Sequence, residues 1–471
     1  MDHADKTDTI ELAPVASVGQ EEAQRSRSSS RQGLTQSRLD NAGGETGPEN
    51  VQELAPIDGG WPAWRFVAAG FMVELMIWGF QTCYGIFQEY YTSNPLFKDA
   101  SGVTIAAVGT LSVAIQFGET VLLSFFFGRY PDLLQPSLWA ALALCVCSLL
   151  LASFATHIWQ LIMLQGLAFG ISGGFLYYPV LILLPQWFVR RRGLATGIIF
   201  AGSGLGGFVF PFLIQTLLER CGFRWTLRIW ALAVLVTVGI AILGMKPRLP
   251  VPKYQGGQRP RFIPPQMHFL KSSLFWLLSV CTVMHTMSYY SVSLYIATFA
   301  RVISSPFSAS IVLALFNSSG VVFQVVMGHM CDRFPYAWIM VASTLVSGLS
   351  VFLLWGFAHT LGVLFAFAII YGGLMGGYLA IGPTSVCDCA GRKPEQASVI
   401  WACSYVPRGI AVVIGPLISG ILYDAGKASP GPGTQYGAYG FKTLEVFAGS
   451  CAVAASLVSV LVAVTRHRAQ A

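Results

Sequence analysis

The sequence predicts an all-α membrane protein of twelve transmembrane helices in two pseudo-symmetric six-helix bundles. Three observations carry that expectation. Of 471 residues, 54% are hydrophobic and only 11% charged, less than half of the roughly 25% that coats a soluble domain. Apolar runs long enough to cross about 30 Å of hydrocarbon as helices recur from Trp64 onward. A short polar phrase, Gly-x-x-x-Asp, occurs twice, 200 residues apart, in "FGRYPDLL" (127–134) and "MGHMCDRF" (327–334).

Residues 1–58 come first. They hold eleven of the 22 acids and five bases, a net charge of −6, while the remainder is +13. The segment is rich in Ser, Gln, Glu and Gly and cannot bury enough apolar surface to offset its ordering entropy. It is expected to be a disordered cytoplasmic tail. Its acidity and its lack of an apolar centre argue against a signal peptide. Twelve apolar segments follow, near 64–87, 104–127, 137–156, 159–185, 193–218, 225–245, 274–300, 307–330, 336–356, 360–386, 398–423 and 441–465. They divide the chain into a first bundle (59–245), a basic, proline-rich linker (246–272), a second bundle (273–465) and a short tail (466–471).

Orientation follows from Lys and Arg. Loops on the face shared by both termini hold 15 of them, including Arg190 to Arg192, Arg392, Lys393 and six between Lys246 and Lys271. The other face holds seven. The positive-inside rule places both termini in the cytoplasm, in what is expected to be the plasma membrane.

Each half places its Gly-x-x-x-Asp on that basic face, between its second and third spans: Gly128 and Asp132, then Gly328 and Asp332 followed by Arg333. Basic residues also recur between the fourth and fifth spans of each half. A duplicated six-helix unit, parallel in the membrane, explains both echoes. The arrangement resembles the major facilitator superfamily, whose signature after the second span is Gly-x-x-x-Asp-Arg. Gly328, Asp332 and Arg333 match it; Gly128 and Asp132 keep the frame, with Leu133 in place of Arg. The resemblance implies that these residues form a conformational switch, the Asp holding a neighbouring helix end in one state and releasing it in another. A plain polar turn is the alternative for each copy.

Two further stretches, "DGGWPAW" (58–64) and "QWFVRRRGLATGIIFAGSGLGG" (186–207), look like the starts of the first and fifth helices of the monocarboxylate porter family, most of all its fungal branch. Trp61 and Trp64 suit the headgroup belt. Proton-coupled members use a lysine in the first helix and an Asp/Arg pair in the eighth. In register, those positions hold Gln81, Gly320 and Gln324. The family's usual mechanism for small carboxylates is therefore not expected here.

Other charges lie inside the spans. Glu74, Glu119 and Arg408 each sit nine or ten residues from the basic face, about 13–15 Å deep at 1.5 Å per residue. Charges at that depth are costly unless they face a cavity or a partner, so they are candidates for substrate binding or coupling; an interhelical ion pair, such as Arg408 with Glu119, is the alternative. Glu74 shares its helical face with Trp78 and Gln81, and Arg408 with Trp401 and Tyr405. His285, Tyr289, Asn317 and Gln324 complete the candidate set. A tyrosine-rich, weakly charged cavity suits an amphipathic or aromatic solute better than a compact anion.

Gly202 to Gly207 spells G-x-G-x-x-G, but it lies within a span, where close helix packing explains it. No catalytic constellation is visible, and no enzyme activity, cofactor, metal or nucleic acid is expected. The expected partners are a small-molecule substrate, the bilayer and protons, and the protein is expected to be a monomer. The function that follows is secondary active transport of a small organic metabolite by alternating access, in the direction of export. Proton-coupled uptake of a monocarboxylate or a vitamin such as riboflavin is the alternative, and a transporter-like nutrient sensor a third reading.

Overall fold

A chain in hydrocarbon must satisfy each backbone N–H within its own segment, and this one does so with helices; no strand occurs among the described residues. The computed structural model describes residues 54–97, 100, 102–250, 259–263, 267–304, 306–391, 396–427 and 436–470. In order the spans are α1 (Gly60–Thr92), α2 (Thr104–Arg129), α3 (Pro131–Ala152) and α4 (Ile158–Trp187). One continuous element, Arg192–Gly244, breaks at Gly222 (φ 71°, ψ 170°) into α5 (192–221) and α6 (223–244). Glycine tolerates that left-handed φ without a Cβ clash. The second half contains α7 (Ser273–Ile303), α8 (Pro306–Arg333), α9 (Tyr336–Trp355), α10 (Leu361–Ala390), α11 (Ala397–Lys427) and α12 (Lys442–Gln470). At 31 residues α7 is long enough to span. It is less apolar than the others because it carries His285, Thr286, Ser288 and Ser291, all buried inside the protein.

Several boundaries differ from expectation. α1 continues past a break at Cys83 to Thr92, and α3 begins at Pro131, several residues before its apolar run. α12 runs to Gln470, so the stretch read as a tail from 466 is its last turns. Arg466 there pairs with Asp388 at the end of α10 (2.9 Å). Helices outlast their apolar runs because interfacial polar side chains do not interrupt backbone hydrogen bonding. The tail up to residue 53, most of the linker's centre, and the basic pair Arg392 and Lys393 lie outside the described residues.

The outer surface is apolar, and exposed tryptophans sit near helix ends: Trp61, Trp276 and Trp338 on the linker face, Trp159 and Trp225 on the other. These are the two interfacial belts of a membrane protein. Trp64 does not join them; it turns inward, edge-on to Phe188 with centroids 5.6 Å apart. Between the halves, α5 packs on α8 and α2 on α11, contacts that pseudo-symmetry exchanges. The G-x-G-x-x-G run makes the first possible: Gly202 and Gly206 meet α1 at Phe71 and Gly79, while Gly204 and Gly207 meet α8 at Val321 and Asn317.

Candidate functional site

On the linker face, the start of α5 is held by two carboxylates. Asp58 has a left-handed φ of 59°, a conformation that Asp adopts more readily than most residues. Its side chain accepts hydrogen bonds from the backbone N–H groups of Val189, Arg190 and Arg191 (2.8, 2.9 and 2.9 Å). Asp332, from the other half, accepts from Gly193 and Leu194 (2.7 and 2.8 Å). These are first-turn amides without an intrahelical acceptor, at the positive end of the α5 dipole. Gly193 and Gly328 allow the approach, since a Cβ on either would run into the other's backbone carbonyl. Burial pushes the Asp58 carboxyl up, but its three backbone donors and Arg190 outweigh this and hold it below the usual carboxylate range.

The first copy of the motif departs from the implied switch. Asp132 lies in a turn opened by Pro131, and it pairs with linker residue Arg259 (3.1 and 3.2 Å). It holds no helix end among the described residues, because a guanidinium, itself stacked 4.7 Å over Tyr130, takes both oxygens. Gly128 has open space where a Cβ would stand, so no close approach requires it. Arg333 is exposed.

At mid-depth the structure brings together Glu74, Trp78, Tyr405 and Arg408. Glu74 is 3% exposed and Arg408 8%, so both charges are withdrawn from water. The Arg408 guanidinium lies 5.7 Å over Phe117 and 5.9 Å over Tyr405. It acts electrostatically on Glu74, Tyr177, His285, Tyr289 and Tyr378, residues from both halves. Trp78 packs on Phe117 (5.0 Å) and Tyr177 (5.5 Å). Tyr177 and Tyr405 share a hydrogen bond of 3.0 Å from α4 to α11.

The remaining candidates are placed differently. Glu119 sits at a break in α2, its carboxyl against Gly174 of α4, and forms no ion pair with Arg408. Gln81 donates to Ser112 (2.8 Å), and Gln324 to Gly376 O (3.4 Å), each within its own half. His285 bonds Met375 O (2.9 Å) and stacks on Tyr378 (4.0 Å), with Tyr289 beyond it. Asn317 bridges the halves by donating to Gly207 O (3.1 Å). Sequence reading missed Phe117, Tyr177 and Arg259, and also Glu445, which is fully buried at the start of α12 with neither carboxyl oxygen hydrogen-bonded. An aromatic in an apolar helix gives no signal of its own; Glu445, inside the apolar segment read at 441–465, did.

The family model described as Major Facilitator Superfamily matches residues 68–304 and 278–470, nearly all of the helical body. The chain belongs to this superfamily. It is therefore an integral, multi-pass membrane transporter of small molecules and not an enzyme. The match is to the superfamily; the likeness to monocarboxylate porters rests on residues 58–64 and 186–207 alone. Similar curated proteins include the aspyridones efflux protein of Emericella nidulans, 26% identical over 86% of this chain and 78% of that one. Another is an MFS transporter of Aspergillus flavus, 29% identical over 81% and 84%. The fujikurins efflux protein of Gibberella fujikuroi is 28% identical over 87% and 84%. Among solved structures, the human organic anion transporter MFSD10 superposes with a TM-score of 0.61 over 85% of this chain and all of that one, at 13% identity; that likeness shows the fold.

Proposed function

We propose that this chain exports an organic secondary metabolite from the cytoplasm by alternating access, residues 59–245 and 273–465 rocking as two bodies about the midplane site. One observation carries the reading: at mid-depth the buried Arg408 of the second half lies over Phe117 of the first, and Tyr177 of the first half is bonded to Tyr405 of the second, with Glu74 buried at the same depth. A site built from both bodies can open to one side at a time. The similarity to proteins named as efflux proteins for aspyridones and fujikurins supports the direction. The linker face, rich in Lys and Arg, is cytoplasmic on this reading, the membrane is the plasma membrane, and the protein works as a monomer.

Glu74 is the proposed proton carrier, since the lysine and Asp/Arg pair of the proton-coupled porters are absent. It is buried one turn before Trp78 on α1. The test uses membrane vesicles from an expressing host, offered a metabolite extract from the source organism. Inside-out vesicles should accumulate one compound class in response to an imposed pH gradient. Glu74→Gln should abolish that accumulation while retaining counterflow exchange. Accumulation in right-side-out vesicles alone would overturn export, and gradient-driven pumping by Glu74→Gln would place the proton elsewhere.

A further inference from the structure

The rings around Arg408 form a box. Trp78, Phe117 and Tyr177 come from α1, α2 and α4; Trp401 and Tyr405 come from α11, with Phe117–Tyr405 and Trp401–Tyr405 centroids at 5.4 and 5.7 Å. Inside this box the hydrogen-bond inventory is incomplete in one direction. Trp78 Nε1 and Arg408 Nε are enclosed and have no acceptor, and the Trp401 indole N–H has only the Tyr405 hydroxyl to lean on. Buried donors without acceptors are costly, each by the desolvation of an unmade bond. Arg408 also forms no contact ion pair among the described residues, Glu74 acting on it only through space, and a buried cation without a direct partner is more costly still.

We propose that this box is the substrate subsite and that it takes a planar, conjugated organic anion. The proposal rests on the transport reading above and adds the chemistry of the cargo. Flat rings at stacking distance favour a flat π-surface. A guanidinium flanked by rings keeps its edge for a delocalised oxyanion, which it can meet in plane. The Trp78 indole N–H calls for a further acceptor oxygen on the same ligand.

The volume beside the box shows how the ligand enters. The cavity lined by Trp401, Tyr405, Arg408 and Tyr378 is about 60 Å³, room for two waters at about 30 Å³ each. An organic ligand needs roughly 300 Å³ or more. The box therefore widens by separation of α4 from α11, and the Tyr177–Tyr405 hydrogen bond is what has to part. Ligand oxygens on those hydroxyls replace it, so occupancy and separation of the two halves become one event.

The test compares three probes on the full chain in nanodiscs by equilibrium binding: naphthoate, which is planar and anionic; decahydronaphthoate, anionic on the same skeleton but saturated; and naphthamide, planar but neutral. Naphthoate should bind about tenfold or more tighter than either of the others. Phe117→Leu should bring the ratio of naphthoate to decahydronaphthoate affinity close to one, whatever it does to either affinity alone, whereas Phe117→Trp keeps the ratio. Arg408→Gln should bind naphthoate and naphthamide alike, and Arg408→Lys should fall between. Equal binding of naphthoate and decahydronaphthoate by the unaltered chain overturns the planar requirement, equal binding of naphthoate and naphthamide overturns the anion, and no binding of any probe overturns both. An unchanged affinity ratio in Phe117→Leu overturns stacking on Phe117. Nanodisc binding has no direction, so an exporter of saturated or neutral compounds fails here alone, and an importer of planar anions passes here and fails the vesicle test.

Discussion

Asp332→Asn removes one charge and keeps the side chain's shape. Asp332 accepts two hydrogen bonds, at 2.7 and 2.8 Å, from first-turn amides of a helix in the opposite half. A hydrogen bond to a charged acceptor contributes about 1.5–3 kcal/mol net. Asn still offers one carbonyl oxygen but turns an N–H₂ towards the second amide, so about one such bond is lost. The closure of the linker face should weaken by about 1.5–3 kcal/mol, or roughly 10- to 150-fold in the closed-to-open ratio. Residue-resolved amide hydrogen exchange reads this directly. Protection of Gly193 and Leu194 should fall by that factor, while Val189 to Arg191, held by Asp58 from their own half, serve as the internal reference. Transport should slow with membrane expression intact, and Asp132→Asn, which breaks only an exposed pair with Arg259, should do less. Unchanged exchange at Gly193 and Leu194 with normal turnover would refute the gate.

Gly328→Ala should act on the same closure from the packing side. Its methyl meets the Gly193 carbonyl, so the linker face should be shifted open, read as faster exchange at Gly193 and Leu194 even though Asp332 is intact; wild-type protection would show that the helices separate without cost. The Asp58 clamp has a pH signature. Its carboxyl is held below the usual range, so the clamp's contribution is complete above the unfolded-state value of about 3.9 and is lost only as pH falls through the lower folded value. Protection factors of Val189 to Arg191 should stay level from neutral pH to about 4 and fade in stronger acid. In Asp58→Asn they should be low throughout, and an equal fade in that variant would assign the effect to another group.

Long apolar runs and paired motifs made the fold legible, because hydrocarbon leaves a backbone few choices and because duplication repeats its punctuation. Glu74 and Arg408 were legible for the same reason: a charge in an apolar run needs an explanation. Their partners were not. Phe117 and Tyr177 look like any lipid-facing or packing aromatic until α2, α4 and α11 are assembled, since sequence spacing gives a residue's face on its helix but not what that face meets. Glu119 shows the converse. Its depth matched that of Glu74, yet the break in α2 turns it against the glycines of α4 and away from Arg408. Asp132 and Asp332 share a frame, and the Leu133 departure marked the first copy as the weaker match; that a linker arginine occupies one and a helix end the other depends on contacts more than a hundred residues distant in the chain.

The fastening of Arg259 changes what the linker can do. The connection between the halves is 27 residues long on paper, from 246 to 272, a slack cord by its length. Phe262 also rests on Phe125 of α2 (6.0 Å), and Phe269 on Phe275 of α7 (5.3 Å). With both anchorages made, only the backbone from Phe262 to Phe269 remains to cross the joint, seven Cα steps or at most about 25 Å when taut. While the anchorages hold, the stroke of the two halves is capped by that leash, and a wider opening requires Arg259 to let go of Asp132 first.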